Sequence, residues 1–333
     1  MTKIAVFEAE PWEHDPYRLL REEGEVLFCQ ETLSAANAGA YADVRIVSIS
    51  IYSILNEEVL KGLPSLEFIA TRSAGFDHIA LDYCRNRGIK VSNVPAYGAC
   101  TVAEHVFGLI LTISHRLFDA VDRTRRGDFS IQGLQGFDLN GKTLGVVGTG
   151  NIGQCVIRIA RGFGMEVLAF DMRPRQDLAS LLGFTYTGME ELLERSDIIT
   201  LHVPSNEGTK DFLNRERFRM MKRGVVVINT SRGPVLNVQA LLEALAEGRV
   251  AAAGLDVLPE EPVIREEAEL VKTIFQRQHN LQDLLIDQVL LRMRNVYVTP
   301  HSAFYTREAL LAIVDTTVEN IRAFLRGTPV NLV

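Results

Sequence analysis

The stretch KTLGVVGTGNIGQ, residues 142–154, limits what this chain can fold into more than any other. It holds Gly148, Gly150 and Gly153 in G-x-G-x-x-G spacing, between an apolar run and a helical one, NIGQCVIRIARGF. Glycines at that spacing are common in turns; a strand before them and a helix after them give them meaning. In that setting Gly148 makes the tight turn and Gly150 lets backbone approach a pyrophosphate. Gly153 lets the helix pack close to the strand, with the helix N-terminus facing the phosphates. The next apolar run, MEVLAFD, ends at Asp171, 18 residues after Gly153. An acid there accepts hydrogen bonds from an adenosine ribose and repels a 2′-phosphate. NAD is therefore favoured over NADP, although Arg173 and Arg175 follow closely.

Strand-like runs alternate with helical periodicity from end to end, which predicts parallel sheets covered by helices. The first third carries KIAVFEA, EVLFC, VRIVSIS, LEFIATRSAG and KVSNVP; a second series carries KTLGVVG, MEVLAFD, DIITLHVP, GVVVINTS, VAAAGLDV and NVYVTP. A length of 333 residues suggests two domains. Between the two series, residues 99–126 read as one long helix, so apolar at its start that burial between domains or against another chain is expected. Residues 262–295 read as two solvated helices without chemistry. A net charge of -7 argues against a nucleic-acid partner. No apolar run approaches the roughly 20 residues that span a bilayer, and the N-terminus MTKIAVFEAE reads as a strand, not a signal peptide. Cys29, Cys84, Cys100 and Cys155 are scattered without a CxxC or a His cluster, which predicts reduced structural thiols in a cytoplasmic protein and no metal site.

The run GVVVINTSR sends an arginine, Arg232, straight out of a core strand. A guanidinium cannot titrate its charge away, so an anion is expected to meet it. In open α/β sheets ligands sit beyond the carboxyl ends of the strands. Two further strands of the same series end similarly: VAAAGLDV runs into Asp256, Glu260 and Glu261, and NVYVTP runs into His301. An arginine, a histidine and a carboxylate suit hydride transfer to a 2-oxo acid. The arginine fork can hold the substrate carboxylate and polarise the carbonyl. The imidazolium can give its proton to the carbonyl oxygen, and a neighbouring carboxylate favours that charged form.

These residues sit within stretches that resemble the D-isomer-specific 2-hydroxyacid dehydrogenases, and within them the D-lactate dehydrogenase branch. The stretches are RSAGFDHI (72–79), VPAYGACTVAEH (94–105), GKTLGVVGTGNIG (141–153), LHVPSNEGT (201–209), INTSRGPVLN (228–237), GLDVLPEEP (254–262) and TPHSAFYT (299–306). The resemblance implies two Rossmann-like or flavodoxin-like α/β domains with parallel sheets and the active site in the cleft between them. Residues 1–98 plus 300–333 would bind substrate, and 99–299 would bind NAD. It implies Arg232, Glu261 and His301 as the catalytic set. Cofactor contacts would come from Gly148, Gly150, Asn151, Ile152, Gly153, Asp171, Val203, Pro204, Thr209, Thr230, Ser231 and Asp256. The amides of Ser73, Ala74 and Gly75 would cradle the substrate carboxylate, with Tyr52, Tyr97 and Tyr305 as pocket walls. A homodimer through the helix starting near Ala99 is also implied. The favoured reaction is pyruvate to D-lactate. Glycerate, branched-chain hydroxy acids and the NADH-binding corepressors built on the same fold are the alternatives. Three departures bear on substrate size: GAC (98–100) replaces a Ser-Pro pair, Leu258-Pro259 replaces an aromatic-acid pair, and the interval from Glu261 to His301 is long.

Overall fold

A strand made only of Val, Ile, Leu and Ala stays in place when both of its faces are covered, and the central strands of this chain meet that condition. The computed structural model describes residues 1–259 and 281–333. They form two compact units, Met1–Gly98 with Thr306–Val333, and Ala99–Tyr305.

In the first unit β1 (Thr2–Val6), β2 (Gly24–Phe28), β3 (Ile46–Ile49), β4 (Phe68–Thr71) and β5 (Lys90–Ser92) pair in parallel in the order β2-β1-β3-β4-β5. The helices α1 (His14–Tyr17), α2 (Glu57–Lys61) and α3 (Leu81–Arg87) belong to it, as does a C-terminal helix. Alternate residues of β4 serve opposite cores. Ile69 packs with Leu55, Leu60 and Leu63, whereas Phe68 and Ala70 pack with Tyr17, Leu20 and Ile321. Ile321 comes from the C-terminal helix Arg307–Leu325, whose Phe324 stacks on Phe68 with ring centroids 4.4 Å apart.

The second unit opens with α4 (Ala99–Ser114) and α5 (Leu117–Arg125). Its strands are β6 (Thr143–Val147), β7 (Glu166–Phe170), β8 (Thr185–Tyr186), β9 (Ile198–Leu201), β10 (Val225–Asn229), β11 (Val250–Leu255) and β12 (Val296–Val298). They run in parallel in the order β12-β11-β10-β9-β6-β7-β8. Between them lie α6 (Asn151–Gly162), α7 (Gln176–Leu182), α8 (Met189–Arg195), α9 (Arg215–Met220), α10 (Val238–Ala246) and α11 (Leu281–Leu290). In β10, Val225 and Val227 enter one core and Val226 and Ile228 the other, so the run VVVI needs no polar alternation. Chain order reverses beside β6, the switch point at which such sheets hold their ligands.

Two expectations change. The helix read over 99–126 breaks after Ser114, and Arg116 takes a left-handed φ of 50°. The Ser114 carbonyl, released from the helix, accepts the Phe137 amide at 2.9 Å instead. The apolar face of α4 is covered within its own unit, where Ala103, Val106, Phe107 and Ile110 pack with Leu144, Val146, Val156 and Ile157. Of the two helices read over 262–295, α11 is described; residues 260–280 lie outside the described residues. Among the described residues no helix is long and apolar enough to cross a membrane.

Candidate active site

The glycine motif joins β6 to α6. Gly148 has a φ of 96°, and a Cβ there would lie 2.4 Å from the His202 carbonyl oxygen at the end of β9. A Cβ on Gly153 would lie 2.1 Å from the Gly148 carbonyl oxygen. Only glycine closes this turn. A Cβ on Gly150 would meet nothing within 4 Å, so the turn is open where a pyrophosphate has to approach. Asn151 and Ile152 start the helix beside it, their amides in the first turn that lacks intrahelical acceptors. Asp171 follows β7 and is tied to the same turn: its Oδ2 accepts from the Thr149 amide at 2.8 Å and the Thr149 hydroxyl at 2.9 Å, and its Oδ1 accepts from the Arg173 amide at 2.9 Å. Burial pushes the Asp171 carboxyl upward, but these bonds and the Arg173 charge outweigh it and hold the group below the usual carboxylate range. Val203 reaches the turn as well, its Cγ1 being 3.1 Å from a Cβ placed on Gly148. Pro204 and Thr209 face each other across the next turn, the Thr209 hydroxyl donating to the Pro204 carbonyl at 2.6 Å. An adenine dinucleotide fits this set: an open amide turn for its phosphates and an ionised acid for its ribose.

At the end of β10 the buried Asn229 shapes the turn that carries the arginine. Its Oδ1 accepts from the Ser231 amide at 3.1 Å and hydroxyl at 2.8 Å, and its Nδ2 donates to the Arg232 carbonyl at 3.1 Å. Thr230 is buried and Ser231 half-buried. A Cβ on Gly233 would lie 2.3 Å from the Leu258 carbonyl carbon, so the arginine turn rests directly on the loop after β11. The histidine turn rests on that loop too. Asp256, 1% exposed, accepts from the Thr299 hydroxyl at 2.5 Å, the Ser302 amide at 2.9 Å and the Ala303 amide at 3.0 Å, and its carbonyl accepts from the His301 amide at 3.0 Å. These bonds hold His301 at a left-handed φ of 52°, a conformation that costs a non-glycine residue about 1–3 kcal/mol and clusters at functional sites. They also keep residues 300–305 with the second unit, beyond the boundary expected at 299. The Thr299 hydroxyl spends its hydrogen on Asp256, so it accepts from His105 Nε2, 3.0 Å away. Glu260 and Glu261 lie outside the described residues.

In the first unit, Ser73, Ala74 and Gly75 form the turn after β4. The Ser73 hydroxyl donates to the Gly75 carbonyl at 2.6 Å, Asn93 Nδ2 donates to the Ala74 carbonyl at 2.7 Å, and the Val94 amide donates to the Ser73 carbonyl at 2.9 Å. Tyr52 and Tyr97 belong to this unit, and Tyr305 to the second.

Several contributors were not singled out from sequence: Thr149, Asn229, the pair His105 and Thr299, and His202. Burial pushes the His202 imidazole down to about 3, and its Nε2 pairs with the Thr200 hydroxyl at 2.9 Å. A polar residue closing a run of buried apolar ones, as Asn229 closes VVVI, is the one signal that could have found any of them. The four cysteines are scattered in sequence, yet the structure brings two together, with Cys100 and Cys155 Sγ 3.0 Å apart.

Residues 107–303 match the family model for the D-isomer specific 2-hydroxyacid dehydrogenase, NAD binding domain. The chain is 40% identical to the D-lactate dehydrogenase of Escherichia coli over 266 residues, covering 79% of this chain and 77% of that one. It is 36% identical to the glyoxylate reductase of Korarchaeum cryptofilum over 284 residues, covering 84% of this chain and 79% of that one. The crystal structure of D-lactate dehydrogenase from Aquifex aeolicus, complexed with NAD and lactic acid, superposes with a TM-score of 0.86 at 36% identity, covering 98% of this chain and 96% of that one. The chain belongs to the D-isomer-specific 2-hydroxyacid dehydrogenases, in the D-lactate dehydrogenase branch. It is thus an NAD-dependent oxidoreductase that interconverts 2-oxo acids and D-2-hydroxy acids.

Proposed function

We propose that the preferred reaction is the interconversion of pyruvate and D-lactate. The observation that carries the catalytic assignment is the common footing of two turns: those bearing Arg232 and His301 are both built against the loop that follows β11. NADH, when bound, supplies the hydride. Arg232 holds the 2-oxo acid and draws electron density onto its carbonyl oxygen. His301, protonated, gives that oxygen its proton; neutral, it removes the proton from the hydroxy acid in reverse. Glu261 is assigned as the acid that favours the charged imidazole. The Ser73–Gly75 turn is read as a carboxylate-binding turn, with Tyr52, Tyr97 and Tyr305 limiting the size of the substrate side chain. Gly148 to Gly153, Asp171, Val203, Pro204, Thr209, Thr230 and Ser231 are read as cofactor contacts. Asp256, with its carboxylate committed to Thr299, Ser302 and Ala303, is read as a brace of the histidine turn. A homodimer acting in the cytoplasm completes this reading.

Similarity to D-lactate dehydrogenases supports pyruvate, and similarity to a glyoxylate reductase keeps the smaller acid in competition. Steady-state rates with glyoxylate, pyruvate, hydroxypyruvate and 2-oxoisocaproate, each with NADH and with NADPH, decide between them. The highest kcat/KM is expected for pyruvate with NADH. A tenfold preference for another acid would overturn the substrate assignment and leave the family untouched.

A further inference from the structure

Cys100 and Cys155 take no part in the chemistry above. Cys100 stands in the first turn of α4, and Cys155 stands in α6, one turn beyond Asn151. They are 55 positions apart in sequence, yet their sulfurs are 3.0 Å apart. Their proximity comes from two packed helices, whose Ala103, Val106, Val156 and Ile157 share one core, and not from a mobile loop. Both are free thiols, Cys100 exposed and Cys155 buried at 7% exposure. A disulfide needs sulfurs about 2.05 Å apart, so closure takes roughly 1 Å of further approach. The other two cysteines, Cys29 and Cys84, lie in the first unit. Burial, with the bond to Cys100 and the neighbouring charge of that group, holds the Cys155 thiol up to about 11, so it waits as a thiol while attack begins elsewhere.

We propose that Cys100 and Cys155 form an oxidisable dithiol whose reagent is a peroxide. The exposed Cys100 sulfur attacks one peroxide oxygen; the O–O bond breaks, and with hydrogen peroxide one water leaves after protonation. Cys100 becomes a sulfenic acid. The Cys155 sulfur then attacks the Cys100 sulfur, the S–O bond breaks, and the hydroxyl departs as a second water with the Cys155 proton. Two thiols have lost two electrons and two protons, and the peroxide has taken them up. The bond ties the start of α4, two residues beyond the passage of the chain between the units at Gly98 and Ala99, to the helix that opens at the glycine turn. A thiol reductant reverses it. With a partner in reach, the sulfenic acid is diverted from irreversible oxidation to the sulfinic acid.

The test uses the full chain, reduced, exposed to hydrogen peroxide, alkylated with iodoacetamide and digested without reductant. Free thiols are expected to fall from four to two, with one cross-linked peptide pair joining positions 100 and 155 that dithiothreitol separates. In Cys155→Ser, Cys100 is expected to be trapped as the sulfenic acid by a 1,3-diketone and then to advance to the sulfinic acid. Cys100→Ser is expected to give no cross-link. Separate alkylation of both cysteines in the treated wild type would overturn the proposal. So would over-oxidation of Cys100 in the wild type as fast as in Cys155→Ser. The wild-type result stands by itself if a serine variant fails to fold.

Discussion

His301 is held in an unfavourable backbone conformation by bonds from its turn to a carboxylate that is itself inaccessible, so the backbone that carries its ring is set before any substrate arrives. Replacing the ring with an uncharged amide, His301→Gln, is expected to keep the turn and to remove the group proposed to give the proton. Turnover is expected to fall about 10²–10⁴-fold, while NADH affinity measured by fluorescence titration stays within about twofold; near-normal turnover would reject the acid–base role. Gly233 makes a different point. An added methyl would press on backbone atoms of Leu258 and Pro259 at 2.3–2.5 Å, which cannot rotate aside as a side chain can. Gly233→Ala is therefore expected to lift the arginine turn off its support. It should cost about 1–3 kcal/mol of stability and at least tenfold in kcat/KM, because small misplacements at a reacting centre are expensive. Urea unfolding together with keto-acid kinetics checks both, and wild-type values in either would show that this contact does not position Arg232.

Among elements, what could be read from sequence depended on how local the signal was. The glycine turn, Asp171 after β7 and Arg232 after β10 all announce themselves within a dozen residues, because strand, turn and helix follow one another along the chain. The groups that brace the histidine turn do not: His105 and Thr299 bond across 194 positions, and a single histidine in a helix looks the same whether it pairs or faces water. The break between α4 and α5 was equally hidden, since no glycine or proline marks Arg116. Only the tertiary acceptor role of the Ser114 carbonyl accounts for it. β8, two residues long, is too short to carry a strand pattern. The end of β9 yields a prediction about acid. His202 stays neutral in the folded protein down to about 3, whereas an unfolded histidine takes up a proton near 6.5. Between those values the unfolded chain binds more protons, so stability rises with pH there, by at most about 1.4 kcal/mol per unit. This contribution is complete above 6.5 and is lost as pH falls towards 3. Urea midpoints from pH 7 to 4 are expected to drop less steeply in His202→Gln than in the wild type; parallel curves would remove His202 from the account.

On the scale of the whole molecule, α4 spends its apolar face inside its own unit, so the proposed homodimer is better sought one helix further on. In α5, Leu117, Phe118 and Val121 are 46%, 65% and 47% exposed, and their spacing puts them on one face. Large apolar side chains gathered in this way mark interaction surfaces more often than scattered ones do. Sedimentation is expected to report a dimer of the 37.1 kDa chain, and Phe118→Asp is expected to shift it to monomer. A monomeric wild type at micromolar concentration would end that part of the reading.

The first unit is assembled from both ends of the chain, and its C-terminal helix supplies Val314, Val318 and Ile321 to the core beneath Ile4, Phe68 and Ala70. A ribosome delivers that helix after every residue of the second unit. During synthesis one side of the N-terminal sheet, covered only in part by Tyr17 and Leu20, must therefore wait while the middle of the polypeptide can already complete its own packing. In that interval the unfinished face is open to aggregation, and the first unit is completed only after the second.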